Sequence, residues 1–275
     1  MPQFIDLHMH TVNSDGHLTT SELVDIVRAK DLAAFAITDH DALDGYFESQ
    51  EILNPDDPEL ISGVELSVAV EGQDLHMLAY LFDAKDDEFN SALASFQQER
   101  NQRGERIVSI LNEIGVPLSF ASVEEAANGS AIGRPHVAQA LVNDGLVRSF
   151  EAAFQKYIGN NCPAYVPKSK MAPGEAIDLI HRAGGLAMMA HPYINGMVTQ
   201  VEALCQVGLD GIEVFHYSHS NEQVRKLKQL AKRLNLAMSG GSDFHGRTDR
   251  EGEVGSQPVP VDFLESLKTR AEMMR

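Results

Sequence analysis

Cysteine is nearly absent from this 275-residue chain. There are two, Cys162 and Cys205, too few for a disulfide framework, so a reducing compartment is the expectation. Basic residues are also scarce. Against 40 Asp and Glu stand 22 Lys and Arg, a net charge of −18 at pH 7. That deficit excludes a protein whose main task is to hold long nucleic acid, because such binding rests on Lys and Arg neutralising phosphates. Small phosphorylated ligands stay open, since bound cations reverse the sign locally. No apolar run approaches the ~20 residues of a membrane span. The first residues lead directly into strand-like Phe4-Ile5-Asp6-Leu7, without the basic and apolar stretches of a secretory leader. A cytoplasmic protein with no membrane partner is therefore expected. The rest of the composition, 43% hydrophobic and 23% charged, is that of a folded globular chain and excludes a disordered one. Its length fits one large domain or one domain with an insertion.

Seven short apolar runs, at 4–7, 33–38, 60–66, 75–81, 186–190, 211–215 and 236–239, have the length and content of strands buried on both faces. Helix patterns separate most of them. Thr19-Thr20-Ser21-Glu22 offers a capping box. Pro173 opens a helix that Gly184-Gly185 closes. Residues 221–234 place Val224, Leu227, Leu230, Ala231 and Leu234 on one face. This alternation predicts an α/β parallel sheet or barrel. It breaks between about 83 and 172, where the pattern is a long helix from Asp86 to about Ile114 and then shorter ones. Ser122 and Glu125 suggest a capping box for one of these, and Gly145 a stop after 134–144. Residues 85–171 read as a helical insertion that divides a barrel built from 1–84 and 172–275.

The chemistry shows in where the polar residues fall. In Asp6-Leu7-His8-Met9-His10, residues i and i+2 share one face of a strand, so His8 and His10 can grip one cation. Two surface histidines on an edge strand are the plain alternative. The second run ends in Thr38-Asp39-His40-Asp41 and the third in Gly63-Val64-Glu65, while the fourth carries Leu75-His76-Met77. The fifth ends in Ala190-His191-Pro192, the sixth in Gly211-Ile212-Glu213 and the seventh in Ser242-Asp243-Phe244-His245. C-terminal strand ends of a β/α barrel converge on one mouth, and seven in succession delivering His or carboxylate is not ordinary surface decoration. Imidazole and carboxylate with no cysteine in reach favour Mn, Zn or Fe. The ligands exceed the needs of one ion, and a carboxylate such as Glu65 could bridge two. Clustered divalent ions suit phosphoester hydrolysis: they polarise phosphoryl oxygens, acidify a bound water and stabilise the leaving oxygen.

These segments resemble the four motifs of the PHP (polymerase and histidinol phosphatase) family of metal-dependent phosphoesterases. The matches are His8-Met9-His10 with Asp15, then Thr38-Asp39-His40-Asp41, then Ala190-His191-Pro192, then Ser242-Asp243-Phe244-His245-Gly246, in family order. The resemblance implies a distorted (β/α)7, TIM-like barrel and two or three divalent ions, manganese first, with zinc or iron as the other options. It implies that His8, His10, Glu65 and Asp243 hold one ion, that Glu65, His76 and His191 hold a second, and that Asp15, His40 and His245 hold a third. Asp15, His40, Glu65 and His191 count as catalytic as well as ligating.

Inside the insertion, Ile132-Gly133-Arg134-Pro135-His136 places a guanidinium beside a helix start, which suits a phosphate. The plain alternatives are a surface ion pair for Arg134 and a capping or packed role for His136. Short family members with this insertion look like the group that removes the 3′-phosphate from nucleoside 3′,5′-bisphosphates or trims short 5′-phosphorylated RNA from its 5′ end. The implied partners are a small phosphorylated nucleotide or an RNA 5′ end, never long duplex. Arg134, His136 and His216 are the expected substrate-binding residues, with His216 or His219 able to give a proton to the leaving oxygen. Glu213 is left open between orienting a ligand and facing substrate. Asp6, Asp39 and Asp41 are expected to orient ligands, His181 to be structural, His17 exposed, and Arg247 within reach of phosphate. Histidinol-phosphate phosphatase is the enzymatic rival, and a non-catalytic metal-binding module the rival of another class. Carbon–nitrogen hydrolysis ranks low, because no lysine ends a strand to become a carbamylated ligand.

Overall fold

The computed structural model describes residues 4–70, 73–167, 171–246 and 252–274. The strands are β1 (Phe4–Asp6), β2 (Ala34–Phe35), β3 (Glu59–Leu60), β4 (Gly63–Val70), β5 (Gln73–Tyr80), β6 (Leu186–Met189), β7 (Gly211–Phe215), β8 (Ala237–Gly240) and β9 (Val259–Pro260). The helices are α1 (Thr20–Ala29), α2 (Asp44–Ile52), α3 (Asp87–Glu113), α4 (Phe120–Ala127), α5 (Arg134–Asn143), α6 (Phe150–Ala153), α7 (Pro173–Arg182), α8 (Val201–Cys205), α9 (Asn221–Leu234) and α10 (Val261–Met274).

The fold is mixed α/β, and its ladders differ from an all-parallel barrel. One sheet has the order β3-β2-β1-β9 and the other β4-β5-β6-β7-β8. Isolated bridges at Met9–Phe244 and His40–Glu65 link the two. The 60–66 run is divided between them: β3 pairs with β2, and after Ile61-Ser62 the chain enters β4 in the other sheet. β4 does not stop at Glu65 but continues to Val70. β4 and β5 are antiparallel, because the two residues between them cannot carry the dozen-residue crossover that parallel pairing needs. β5 and β6 are antiparallel too, with Tyr80 opposite Leu186, so the long helical segment leaves and rejoins the sheet at one end. His76 therefore reaches the site from near the start of its strand.

Local signals hold at most helix ends. Thr19 and Glu22 form the capping box of α1, and Gly145 adopts φ +68° just past α5. At α4 the cap lies three residues earlier than the sequence suggests. The Ser119 hydroxyl accepts from the Ser122 amide at 3.0 Å, which puts Ser122 inside the helix.

There are two large apolar clusters. The first fills the space between the sheets and α7–α10. The second gathers Val123, Val137, Leu141, Ala153 and Ile158 from α4 to the turn after α6. α3 belongs to both: Phe89, Leu93 and Phe96 pack on the first, Ile107, Val108 and Leu111 in the second. Its 27 residues span ~40 Å, enough to run from one end of the sheets to the other.

Tyr80 anchors the segment that follows β1. It is fully buried, and its hydroxyl donates to the Leu7 carbonyl at 2.7 Å. Replacing it by Phe leaves a buried acceptor without that donor and is expected to cost about 1–3 kcal/mol, read as a lower urea midpoint at unchanged m-value.

Candidate metal centre and adjoining cleft

His8 and His10 flank Met9, whose buried side chain faces the core while the two rings turn the other way. Their Nε2 atoms each lie 3.3 Å from Glu65 Oε2 and 3.2 Å from Asp243 Oδ1. Donors about 2.0–2.1 Å from a central cation in a tetrahedron stand roughly 3.3 Å apart, so these four atoms have the spacing that a divalent ion requires. Glu65 also gathers His76 Nδ1 at 2.7 Å, His191 Nε2 at 3.0 Å and His40 Nδ1 at 3.3 Å. Asp15 Oδ1 meets His245 Nε2 at 3.3 Å and His10 Nδ1 at 3.9 Å. All nine residues expected as ligands thus fall into one continuous cluster.

The grouping by closest donors differs in part from the expected one. It gives His8, His10, Glu65 and Asp243 as one group, His40, Glu65 and His76 as a second, and His10, Asp15 and His245 as a third. His40 stands with Glu65 because a bridge joins the two strand ends directly. The buried ring nitrogens His10 Nε2 and His40 Nδ1 make no hydrogen bond among the described residues. Buried polar atoms in proteins usually find a partner, and these two, facing carboxylates within a cluster of metal-ligand types, fit positions reserved for a cation.

A further layer of buried groups fixes the rings. Glu213 resolves toward orientation: Oε1 lies 2.9 Å from His8 Nδ1 and Oε2 accepts from the His191 amide at 2.7 Å. With Nδ1–H donated to Glu213, His8 presents Nε2 to the centre. Asp6 accepts from the amides of His8, Ser242 and Gly255. Asp39 accepts from the Thr11 amide and the Thr11 and Ser14 hydroxyls. Asp41 accepts from the Ser67 amide and from Arg100 Nε at 2.6 Å. Asp41, His191 and Asp243 have φ of 55°, 26° and 53°, a left-handed conformation costly for non-glycine residues. Each lies just past a strand run, where the chain turns sharply; this aims His191 and Asp243 at the cluster and Asp41 at Ser67 and Arg100 beside it. Gly241 is needed close by, since a Cβ there would run into the backbone and Cβ of His8.

The electrostatics are those of interleaved opposite charges. Burial opposes ionisation of Glu65, Asp15 and Asp243, yet the surrounding imidazoles hold all three well below the usual carboxylate range. His10 is driven the other way: burial pulls it down, but Asp243 and Glu65 raise it to about 10. His40 is pushed well down by burial. A site in which carboxylates stay ionised when buried is one that divalent cations can neutralise.

A cavity of 270 Å³ is lined by Glu65, His191 and Asp243 and also by Arg100, Arg103 and Arg134. Arg134 Nη2 donates to Asp74 at 2.7 Å, and its guanidinium lies over the Phe154 and Tyr165 rings. Arg103 is 6% exposed, donates Nε to the Val166 carbonyl, and has a buried Nη2 with no hydrogen bond. Burial, with Arg134 adding to it, pushes it down to about 10. Arg100, Arg103 and Asp74 escape the sequence reading. Two of them sit in an ordinary-looking charged helix, and a helical wheel does not reveal that α3 passes over the site.

His136 and His216 are not on this cavity. His136 serves as a helix cap: its Nδ1 accepts from the Gly133 amide at 3.1 Å. His216 is buried behind Asp243, with Nε2 3.0 Å from Oδ2. His219 is buried as well and bonds through Nδ1 to the Val214 carbonyl. His181 pairs with Asp210 at 2.7 Å, a structural role, and His17 is exposed. Arg247 lies outside the described residues.

Clustered imidazoles and carboxylates at one end of a mixed α/β sheet pair, beside an arginine wall, define a metal-site protein. Comparison with known proteins gives the class a name. The PHP domain model matches residues 6–159. A 3′,5′-nucleoside bisphosphate phosphatase of Chromobacterium violaceum is 33% identical over 258 residues, 91% of this chain and 90% of that one. A 5′-3′ exoribonuclease of Haemophilus influenzae is 32% identical over 253 residues, 89% of this chain and 91% of that one. A solved structure from Bifidobacterium adolescentis, described as a candidate metal-dependent phosphoesterase, superposes with a TM-score of 0.86 at 32% identity, covering 98% of both chains. The chain belongs to the PHP domain family.

Glu213 touches two cluster residues without joining any donor group. Glu213→Gln is expected to weaken manganese binding by about 10–100-fold, measured by titration of the metal-free protein, with the circular dichroism spectrum retained.

Proposed function

We propose that this chain is a divalent-metal-dependent phosphoesterase that hydrolyses the 3′-phosphate of nucleoside 3′,5′-bisphosphates to nucleoside 5′-monophosphate and phosphate. The same chemistry would release 5′-mononucleotides one at a time from short 5′-phosphorylated RNA. One observation carries the reading: a single cavity has the His/carboxylate cluster on its floor and three arginines on its wall. A substrate with two phosphates, one at each end of a nucleoside, matches that division.

His8, His10, Asp15, His40, Glu65, His76, His191, Asp243 and His245 would hold two or three ions, manganese first, with zinc or iron as substitutes. Bound there, the ions supply an acidified water and charge neutralisation at phosphorus. Asp15, His40, Glu65 and His191 border the scissile phosphate from the cavity floor. Arg134, supported by Arg103 and Arg100, would grip the 5′-phosphate, since a guanidinium fork matches phosphate oxygens. Phe154 and Met197, both on the cavity, offer the base an apolar seat. His216 would act on Asp243 rather than on substrate, and Glu213 on His8 and His191.

The two linked sheets are read as the wall of a distorted barrel made by residues 1–84 and 172–275, with 85–171 covering its mouth. The charge of −18 suits short substrates, because repulsion grows with every phosphate outside the metal site. It also suits a cytoplasmic enzyme of nucleotide turnover. Histidinol phosphate fits less well, because its ammonium group would enter a pocket walled by arginines.

Manganese-loaded protein is expected to convert adenosine 3′,5′-bisphosphate to adenosine 5′-monophosphate and phosphate, and a chelator to abolish this until manganese is restored. Phosphate from histidinol phosphate alone would discard the substrate. Arg134→Ala is expected to raise KM for the bisphosphate roughly ten- to hundredfold, the loss of a charged hydrogen bond. Unchanged KM and kcat would remove Arg134 from the site.

A further inference from the structure

A second cavity, of 370 Å³, lies on the other side of Asp15 from the arginine wall. It is lined by Ser14 and His17 from the loop after β1, Asn128 at the end of α4, and His136, Gln139 and Asn143 from α5. Asp15 and Pro135 border both cavities, so the two meet at the metal cluster. Helix α5 divides them. Arg134 points into the first, while His136, Gln139 and Asn143, spaced i, i+3, i+7, turn one helical face to the second. The Ser130 hydroxyl donates to the Ser14 carbonyl at 2.9 Å, which ties the helical segment to the loop across this groove.

We infer that this groove is the seat of the downstream nucleotide, the one on the 3′ side of the scissile phosphate when the substrate is RNA. The inference rests on the phosphoesterase reading. Release of a 5′-mononucleotide breaks the bond between phosphorus and its O3′: water adds to phosphorus, O3′ leaves with the upstream nucleotide, and the phosphoryl group stays on the downstream one, which therefore needs space beside the cluster that a terminal phosphate does not. With the 5′-phosphate on the arginine wall, the open space on the far side of Asp15 is this groove. Its volume lies near the lower end of small-ligand sites, the scale of one nucleoside.

The lining chemistry agrees. Among the described residues that line it there is no lysine or arginine, so it offers nothing to a second phosphate and does not compete with the arginine wall for the 5′ end. It offers amides instead. Gln139 Nε2 donates to Asn143 Oδ1 at 2.7 Å, which orders the pair and turns the Gln139 carbonyl and the Asn143 amino group to other partners. A carbonyl beside an amino group complements the mixed donor and acceptor edge of an unpaired base. His136, on this face of α5, lines the second cavity and not the first.

The test compares two substrates: adenosine 3′,5′-bisphosphate, which has no downstream nucleotide, and the 5′-phosphorylated dinucleotide pApA, which has one. Filling the groove with Gln139→Trp is expected to raise the ratio of kcat/KM on the bisphosphate to that on pApA by about tenfold or more. The milder double variant Gln139→Ala, Asn143→Ala is expected to raise it by roughly three- to tenfold, the loss of neutral hydrogen bonds. An unchanged ratio in folded variants would overturn the inference. So would wild-type protein that hydrolyses the bisphosphate but leaves pApA intact, a result that spares the phosphatase reading. Wild-type protein that cleaves neither substrate would sink that reading and the inference with it.

Discussion

The structure depends on one buried carboxylate. Glu65 is 1% exposed, sits on the bridge that links the two sheets, and has five imidazoles within 3.3 Å of its oxygens. An unpaired charge at such depth is prohibitive. Everything around it answers that constraint: rings from three strand ends and a hairpin converge, and a second circle of carboxylates, Asp6, Asp39 and Glu213, holds backbone and rings in place. The imidazoles balance the carboxylates when they carry protons, and divalent cations can take the place of those protons. The site is thus a fold determinant as well as a reactive centre.

Much of that centre was legible in the chain. Histidines two apart in a strand, and His, Asp or Glu at the ends of short apolar runs, are signals local enough to read without coordinates. The nine residues that the resemblance implies as ligands, most of them marked by these signals, all lie in the cluster. The family resemblance rested on the same segments, and the family match and relatives agree with it. What failed was anything that needed direction in space. The sequence reading took the His76 strand as one more parallel strand delivering its residue to a common mouth, whereas β5 runs antiparallel, a fact set by the two-residue link after β4. His216 looked like a substrate contact because it follows a strand end, but the chain curls there and buries it behind Asp243. Arg100 and Arg103 were invisible, because their helix was known only as long and charged.

The second layer was partly readable for a different reason. Asp6 shares a strand face with His8, and Asp39 and Asp41 flank His40, so proximity in sequence implied proximity in space. Glu213 stood 22 residues from His191 and had no such neighbour. Only the pairing of β6 with β7 brings them together. Left-handed φ at Asp41, His191 and Asp243 carries no sequence signature either, since none is the glycine that such a conformation favours.

Helix α3 shows that a boundary drawn by topology is not one drawn by packing. The segment 85–171 looks like a cassette inserted between two strands of a sheet. Yet the first turns of α3 place Phe89, Leu93 and Phe96 in the core under the sheets, and its middle carries Arg100 to Asp41 and Ser67 beside the cluster. Excising the cassette at its ends would uncover that core and strip Asp41 of its counter-charge. The natural cut for transplanting the rest of the segment onto another scaffold lies inside the helix, between Arg103 and Ile107, with the first half left behind as part of the host.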